Sequence, residues 1–209
     1  MIISRRAGIL CLALLAAIPV AGCKIVPIAE ETAVPAGFDA PAYADGIWAD
    51  RVLPFFTESA RPVADVVPAI AADLEAAGAE FGYRSGEGSP WSFGVSGAGT
   101  VTAQNTESRA GTLEVAVDDI AEPVVLQIGP VIRDNAVRDA LPFVTFKDFV
   151  NQLEYANAGK ALTALAVAGF APGAEAVAVG DVVTFTGAIS VSRGAEDILV
   201  TPITLEVAP

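Results

Sequence analysis

Residues 91–101, Trp91-Ser92-Phe93-Gly94-Val95-Ser96-Gly97-Ala98-Gly99-Thr100-Val101, mark the place where the chain changes its period. Trp91, Phe93, Val95 and Val101 alternate with small or polar residues, the two-residue repeat of a half-buried strand. Gly94, Gly97 and Gly99 interrupt that repeat, and glycines inside a strand pattern mark bulges or strong coiling. A polar turn from Gln104 to Gly111 leads to a second alternating strand, Thr112 to Val117, and Val124 to Ile128 supplies a third. Thr145, with Asp148 three residues on, reads as a helix N-cap, with Phe146, Phe149, Val150, Leu153 and Ala156 on one helical face. That helix is expected to run through Gly159 as far as about Val167. Gly180-Asp181 opens a fourth strand, Val182 to Ile189, and Ile198 to Val207 gives a fifth.

Upstream of Trp91 the repeat is helical. From Pro41 to about Ala60, Tyr43, Ile47, Trp48, Val52, Phe55 and Phe56 recur at helical spacing, and Pro54 is expected to kink or split the helix. A second alanine-rich helix is expected from Val63 to Ala79, with Val66, Val67, Ile70 and Leu74 on one face. Phe81 to Pro90 reads as a Gly/Ser-rich loop. The downstream order, three strands, a helix, then two strands, is that of an OB-fold. The expected class is α+β: N-terminal helices followed by an OB-like five-stranded antiparallel barrel with a helix between strands 3 and 4. A generic antiparallel sheet with one helix is the alternative.

The first residues carry a different signal. Arg5 and Arg6 precede an apolar run, Ala7 to Ala17, too short to span a bilayer comfortably, and the run ends in Val20-Ala21-Gly22-Cys23. Small residues before a cysteine resemble the lipobox of bacterial lipoproteins, in which that thiol is acylated with palmitate-type chains. Residues 1–22 are therefore expected to be a cleaved signal peptide, 23–40 a lipidated N-terminus and tether, and 41–209 a single α+β domain. Cys23 is the expected lipidation site. Lys24 follows it where an aspartate would favour the inner membrane of enteric bacteria, so a periplasm-facing outer-membrane location is expected. Cys11 leaves with the signal, so the mature chain is expected to keep no free thiol.

The 209 residues are 53% hydrophobic, with a mean hydropathy of +0.54. Alanine supplies 40 of them and buries little apolar area, so the index overstates the core. No later stretch reaches the 18 apolar residues expected of a spanning helix. There is no histidine, which removes Ser-His-Asp and Cys-His catalysis, imidazole zinc sites and a histidine pH switch. The formal charge of −13 argues against a nucleic-acid partner, whose phosphates need a basic surface. Without Arg5 and Arg6 the balance is 10 basic against 25 acidic residues, or −15.

Gly129 to Phe143 is the densest charged block, with Arg133-Asp134 and Arg138-Asp139 five residues apart in a connection between strand and helix. Either arginine could fork onto a carboxylate, phosphate or sugar hydroxyl. The favoured reading is structural, with Arg138 paired to Asp134 or Asp139. Asn151, Gln152 and Tyr155 follow on the helix, where an amide and a phenol could bind a sugar or tie the helix to the loop. Trp91 and Trp48 are candidates for sugar stacking, with core packing favoured for both. Two acids would suffice for a glycosidase, but nothing in the sequence sets any pair at a fixed separation. No calcium loop, dinucleotide fingerprint, P-loop, nucleophile elbow or CxxC occurs, so no metal and no cofactor are expected. The candidate binding residues are Arg133, Arg138, Asp139, Asn151, Gln152 and Trp91.

Nearly the whole chain resembles one family, the predicted periplasmic lipoproteins grouped as domain of unknown function 2291. The residues that carry the resemblance are the lipobox, Cys23-Lys24-Ile25-Val26-Pro27, Ile47-Trp48, Leu53-Pro54, Ser108-Arg109-x-Gly111, Ile128-Gly129-Pro130-Val131-Ile132-Arg133, Arg138-Asp139 with Phe143, Phe146 and Phe149, and Asn151-Gln152. Asp134-Asn135 departs from the Gly-Thr usual in the family, so the resemblance assigns Asp134 no role. It implies a periplasm-facing lipoprotein, sometimes encoded near sugar transporters, with no established activity. The functional expectation is a non-enzymatic accessory or binding protein for a periplasmic protein or a carbohydrate. An envelope-glycan hydrolase built on carboxylates and a purely structural envelope component are the alternatives.

Overall fold

The computed structural model describes residues 37–192 and 198–208, so the signal sequence, Cys23 and most of the tether lie outside the described residues. Six strands form the sheet: β1 (Arg61–Pro62), β2 (Trp91–Asn105), β3 (Thr112–Ala116), β4 (Val124–Gln127), β5 (Val182–Val191) and β6 (Leu199–Val207). Their order is β1-β2-β3-β4-β6-β5, and β2 also pairs with β5, which closes five of them into a barrel. An odd ring cannot be antiparallel throughout, so one pair has to run parallel. That pair is β4–β6, joined at Val125 opposite Leu199 and Leu126 opposite Val200.

Closure depends on β2, whose 15 residues serve two partners. Trp91 to Thr100 pair with β5, and Thr100 to Asn105 with β3, across a register shift between Val101 and Ala103. The glycines of the opening stretch make this coiling possible. A Cβ on Gly97 would come within 2.7 Å of Phe185 and 2.8 Å of Val63, and one on Gly99 would strike the Ala116 carbonyl.

Two apolar layers hold the chain. The barrel interior contains Phe93, Val95, Leu113, Val115, Leu126, Phe185, Ile189, Val200 and Leu205. Helix α3 (Val63–Ala72) adds Val63, Val66 and Ile70 to it, and Phe170 enters from helix α6 (Gln152–Ala176). Outside the barrel wall, Leu162 and Ala166 of α6 meet Val52, Phe56, Val137, Leu141, Ala188 and Ile203. Leu162, Ala166 and Phe170 are four residues apart and fully buried, so one stripe of α6 joins both layers. Burying a phenylalanine such as Phe170 contributes about 2 kcal/mol.

The first expected helix is divided beside Pro54, as its sequence predicts, and two others differ from expectation. The first is continuous but segmented: α1 (Ala40–Ile47), a π turn at Trp48–Val52 and α2 (Leu53–Ser59), with Pro54 in the first turn of α2. Pro54 has no N–H to extend the ladder, and the π turn just ahead of it is where the continuous helix takes up that break. The second expected helix divides at Asp73 into α3 and α4 (Leu74–Phe81), because the Asp73 carboxylate accepts from the amides of Glu75 and Ala76 and starts a new helix. The second correction concerns Thr145. Its capping box with Asp148 is real but closes a single 3-10 turn, Phe146–Asp148. The chain is extended at Phe149 and at Asn151, and α6 begins only at Gln152, capped by Asn151. Phe146, Val150 and Leu153 therefore face solvent rather than the core, while Phe149 turns inward. At its other end α6 continues past Val167 to Ala176.

Candidate functional site

The Gly129–Phe143 connection is pinned where it leaves β4. Gly129 lies so close to the β2–β3 turn that a Cβ there would strike the Arg109 carbonyl and the Gly111 amide. Backbone bonds tie the two segments: Ile128 N–H to Gly111 O at 2.9 Å and Val131 N–H to Arg109 O at 3.1 Å. Further along, Asp134 closes a network that sequence reading missed. Its carboxylate accepts from Gln127 Nε2 (3.2 Å), Thr201 Oγ1 (3.3 Å) and the Ala136 amide (2.9 Å). Gln127 and Thr201 are buried in neighbouring strands, and Gln127 Oε1 accepts from the Arg133 amide at 3.0 Å. A polar residue inside an apolar strand was the available signal, since a buried polar group needs partners.

Short helix α5 (Ala136–Asp139) carries the second Arg-Asp pair. Arg138 Nη2 and Nε both donate to Asp139 Oδ1, at 2.6 and 2.8 Å, and the guanidinium lies 3.9 Å over the Tyr155 ring. Gly159 of α6 makes room for it, because a Cβ there would lie 3.0 Å from Arg138 Nη1 and 2.7 Å from Asn135 Oδ1. Burial raises the Asp139 carboxyl above the ordinary aspartate range, with Arg138 opposing the rise. Burial likewise raises the Tyr155 phenol, again against Arg138. A cavity of about 190 Å³ opens here, lined by Ser85, Ser89, Pro90, Arg138, Asp139 and Tyr155.

Trp91 lies on the other side of the same Ser85–Pro90 loop. Arg84 covers its ring at 4.3 Å, the indole N–H donates to Glu75 Oε2 at 3.2 Å, and Arg84 pairs with that same oxygen. Gly78 of α4 packs against the ring where no side chain could fit. A neighbouring cleft of about 370 Å³ is lined by Glu75, Arg84, Glu87 and Trp91 among others. Ser89 and Pro90 line both this cleft and the Arg138 cavity, so Trp91, Arg138 and Asp139 converge on one loop.

The other candidates are dispersed. Arg133 is exposed in an open groove with Lys160 and Thr163. Asn151 is a helix cap, accepting from the Glu154 amide at 2.9 Å, and Gln152 is the exposed first residue of α6. Trp48 sits in the π turn against the outer apolar layer. Cys23 lies outside the described residues.

A larger groove, about 710 Å³, was not anticipated. Val67, Pro68 and Ala71 of α3 form one wall; Ile120, Pro123, Val124, Val125 and Ile198 form the other, with Asp119 and Glu122 among its polar groups. Asp119 has a φ of 66°, a left-handed conformation uncommon for a residue with a side chain. It sits in the turn ahead of β4. Among the described residues no cluster of three or more Asp, Glu, Cys or His groups could hold a metal ion.

A closed five-stranded barrel with a helix between its third and fourth strands defines an OB-fold protein. A crystal structure of an OB-fold protein from Thermotoga maritima is similar: TM-score 0.67, 18% identity, covering 82% of this chain and 99% of that one. The family is shown by sequence. The model of the predicted periplasmic lipoproteins of domain of unknown function 2291 matches residues 13–206, and this chain belongs to that family. It is thus a periplasm-facing, lipid-anchored lipoprotein. No curated protein matches it. No helix among the described residues is long and apolar enough to cross a membrane.

Proposed function

We propose that the protein is a non-catalytic accessory lipoprotein that binds an envelope protein partner through the groove between α3 and β4. The groove is the observation that carries this reading. At about 710 Å³ it has the size of a ligand site; among the described residues its walls are valine, isoleucine, proline and alanine, and its charged side chains are two carboxylates. Among the described residues its lining offers no aromatic ring and no side-chain hydrogen-bond donor, the features a sugar needs. An apolar anchor side chain flanked by lysine or arginine fits it, and the formal charge of −13 steers such a basic partner. The resemblance points to a component of a sugar-uptake system as that partner. Lys24 after the lipobox favours the outer membrane.

The test is site-specific photocrosslinking of the full lipoprotein in intact envelopes. A photoreactive side chain at Val67 is expected to trap one discrete partner, and Ala71→Glu, an added charge at an exposed groove position, is expected to abolish the product. Equal labelling from Val67 and from Glu58, on α2 and outside the groove lining, would refute the reading.

A carbohydrate ligand is the second reading, favoured by the hydroxyls, guanidinium and carboxylate that line the Arg138 cavity. Calorimetry of the full chain against a panel of envelope glycans tests it, and heat that disappears with Ser89→Ala would support it. The hydrolase alternative gains nothing there, because among the described residues Asp139 is the one carboxylate in that lining and is held by Arg138.

A further inference from the structure

Phe146, Val150 and Leu153 are 52%, 87% and 68% exposed. They lie within eight residues of one another along the chain, and hydrogen bonds and ring contacts hold the backbone between them. Phe149, between them, turns inward and is clasped by Phe38 at 5.3 Å, Tyr43 at 5.2 Å and Tyr155 at 5.4 Å between ring centroids. Asp148 accepts from the Thr145 amide at 2.8 Å, and Glu154 accepts from the Val150 amide at 3.1 Å. Both acids of the segment are thus turned onto its own backbone. Lys147 is exposed and has no ion pair among the described residues.

The position of this patch says what covers it. Phe38, at the start of the folded unit, packs on Phe149, so the chain coming from the anchor enters the fold beside the patch. Cys23 lies 15 residues earlier, a span of at most about 50 Å even fully extended. A lipid surface is therefore always within reach of three large apolar side chains that would otherwise face water.

We propose that Phe146, Val150 and Leu153 form a membrane-docking surface that seats in the leaflet holding the Cys23 anchor, with Lys147 at the level of anionic headgroups. The proposal rests on the lipid-anchored reading and is independent of the groove between α3 and β4. Docking turns a one-point attachment into a two-point attachment and fixes which face of the barrel looks into the periplasm.

The test uses the full, processed lipoprotein in vesicles of phosphatidylethanolamine and phosphatidylglycerol. Cys23 is acylated, so Val150→Cys takes a single environment-sensitive fluorophore. Val179→Cys is the matched control: this valine is 61% exposed and lies beyond the far end of α6, whose 25 residues span about 37 Å. The label at 150 is expected to shift to the blue and to be quenched about twofold or more over the label at 179 by nitroxide-bearing lipids. Phe146→Asp with Leu153→Asp, both at exposed positions, is expected to remove that difference while the protein still floats with the vesicles. Flotation with equal quenching at 150 and 179 would overturn docking and leave the anchor standing. A blue shift at 150 without lipid quenching would assign the patch to a second copy of the chain and also overturn it. Failure to float would overturn both the anchor and the docking that rests on it.

Discussion

Arg138 is held between the Asp139 carboxylate and the Tyr155 ring, with its side chain 11% exposed. Arg138→Ala leaves a largely buried aspartate without its partner, and is expected to cost about 2 kcal/mol in urea unfolding. Asp139 and Asp148 are expected to titrate on opposite sides of the ordinary aspartate value. For Asp139, burial makes the folded chain hold the proton more tightly than the unfolded chain does. Its contribution to stability is full at low pH and is lost as pH rises through its raised value. For Asp148, hydrogen bonds from the Thr145 backbone and then its side chain favour the anion. Its contribution is present above the ordinary value and is lost as pH falls through the lowered one. Carboxyl-carbon NMR titration checks both, and the reverse order would contradict the assigned causes. The Arg138–Asp139 pair was legible because neighbouring opposite charges in a long connection tend to pair. The Asp134–Gln127–Thr201 network was not, because Thr201 stands 67 residues beyond Asp134 and joins it only when β6 pairs with β4.

Helix α6 shows what local signals can and cannot settle. Thr145-x-x-Asp148 and Asn151-x-x-Glu154 are successive caps of the same form, and sequence alone does not say which one starts the long helix. Tertiary packing decides: Phe149 must leave the helical path to reach Phe38 and Tyr43, so only the second cap propagates. Asn151→Ala is accordingly expected to destabilise the protein by about 1 kcal/mol, whereas loss of a helix beginning at Thr145 would spare it. Further along, α6 rides directly on β6. A Cβ on Gly173 would strike the Leu205 carbonyl, and one on Gly169 would lie 2.9 Å from the Ile203 carbonyl. Gly173→Val is expected to cost about 2 kcal/mol or more by pushing the helix off the strand. Gly46→Ala is the control, since nothing lies within 4 Å of a Cβ there. That change is expected to raise stability by about 0.5 kcal/mol, read as a shift in thermal midpoint.

At the scale of the whole molecule, barrel closure was readable because the glycine-broken strand, the strand order and the intervening helix all agree. The α3–β4 groove was not readable, because periodicity marks Val67 and Val124 as apolar without saying that the surfaces they line stand apart. The charged block that drew attention in the sequence is instead largely spent on holding the Gly129–Phe143 connection to β4, β6 and α6. The charged block is thus scaffold, set apart from the apolar groove proposed above as the binding surface. Hydrogen exchange of the lipoprotein in native envelope vesicles, compared with the same protein purified in detergent, tests that separation most directly. Added protection is expected in α3 and in residues 119–125, with the Ser85–Pro90 loop and residues 133–139 unchanged. Protection confined to that loop and residues 133–139 would contradict it.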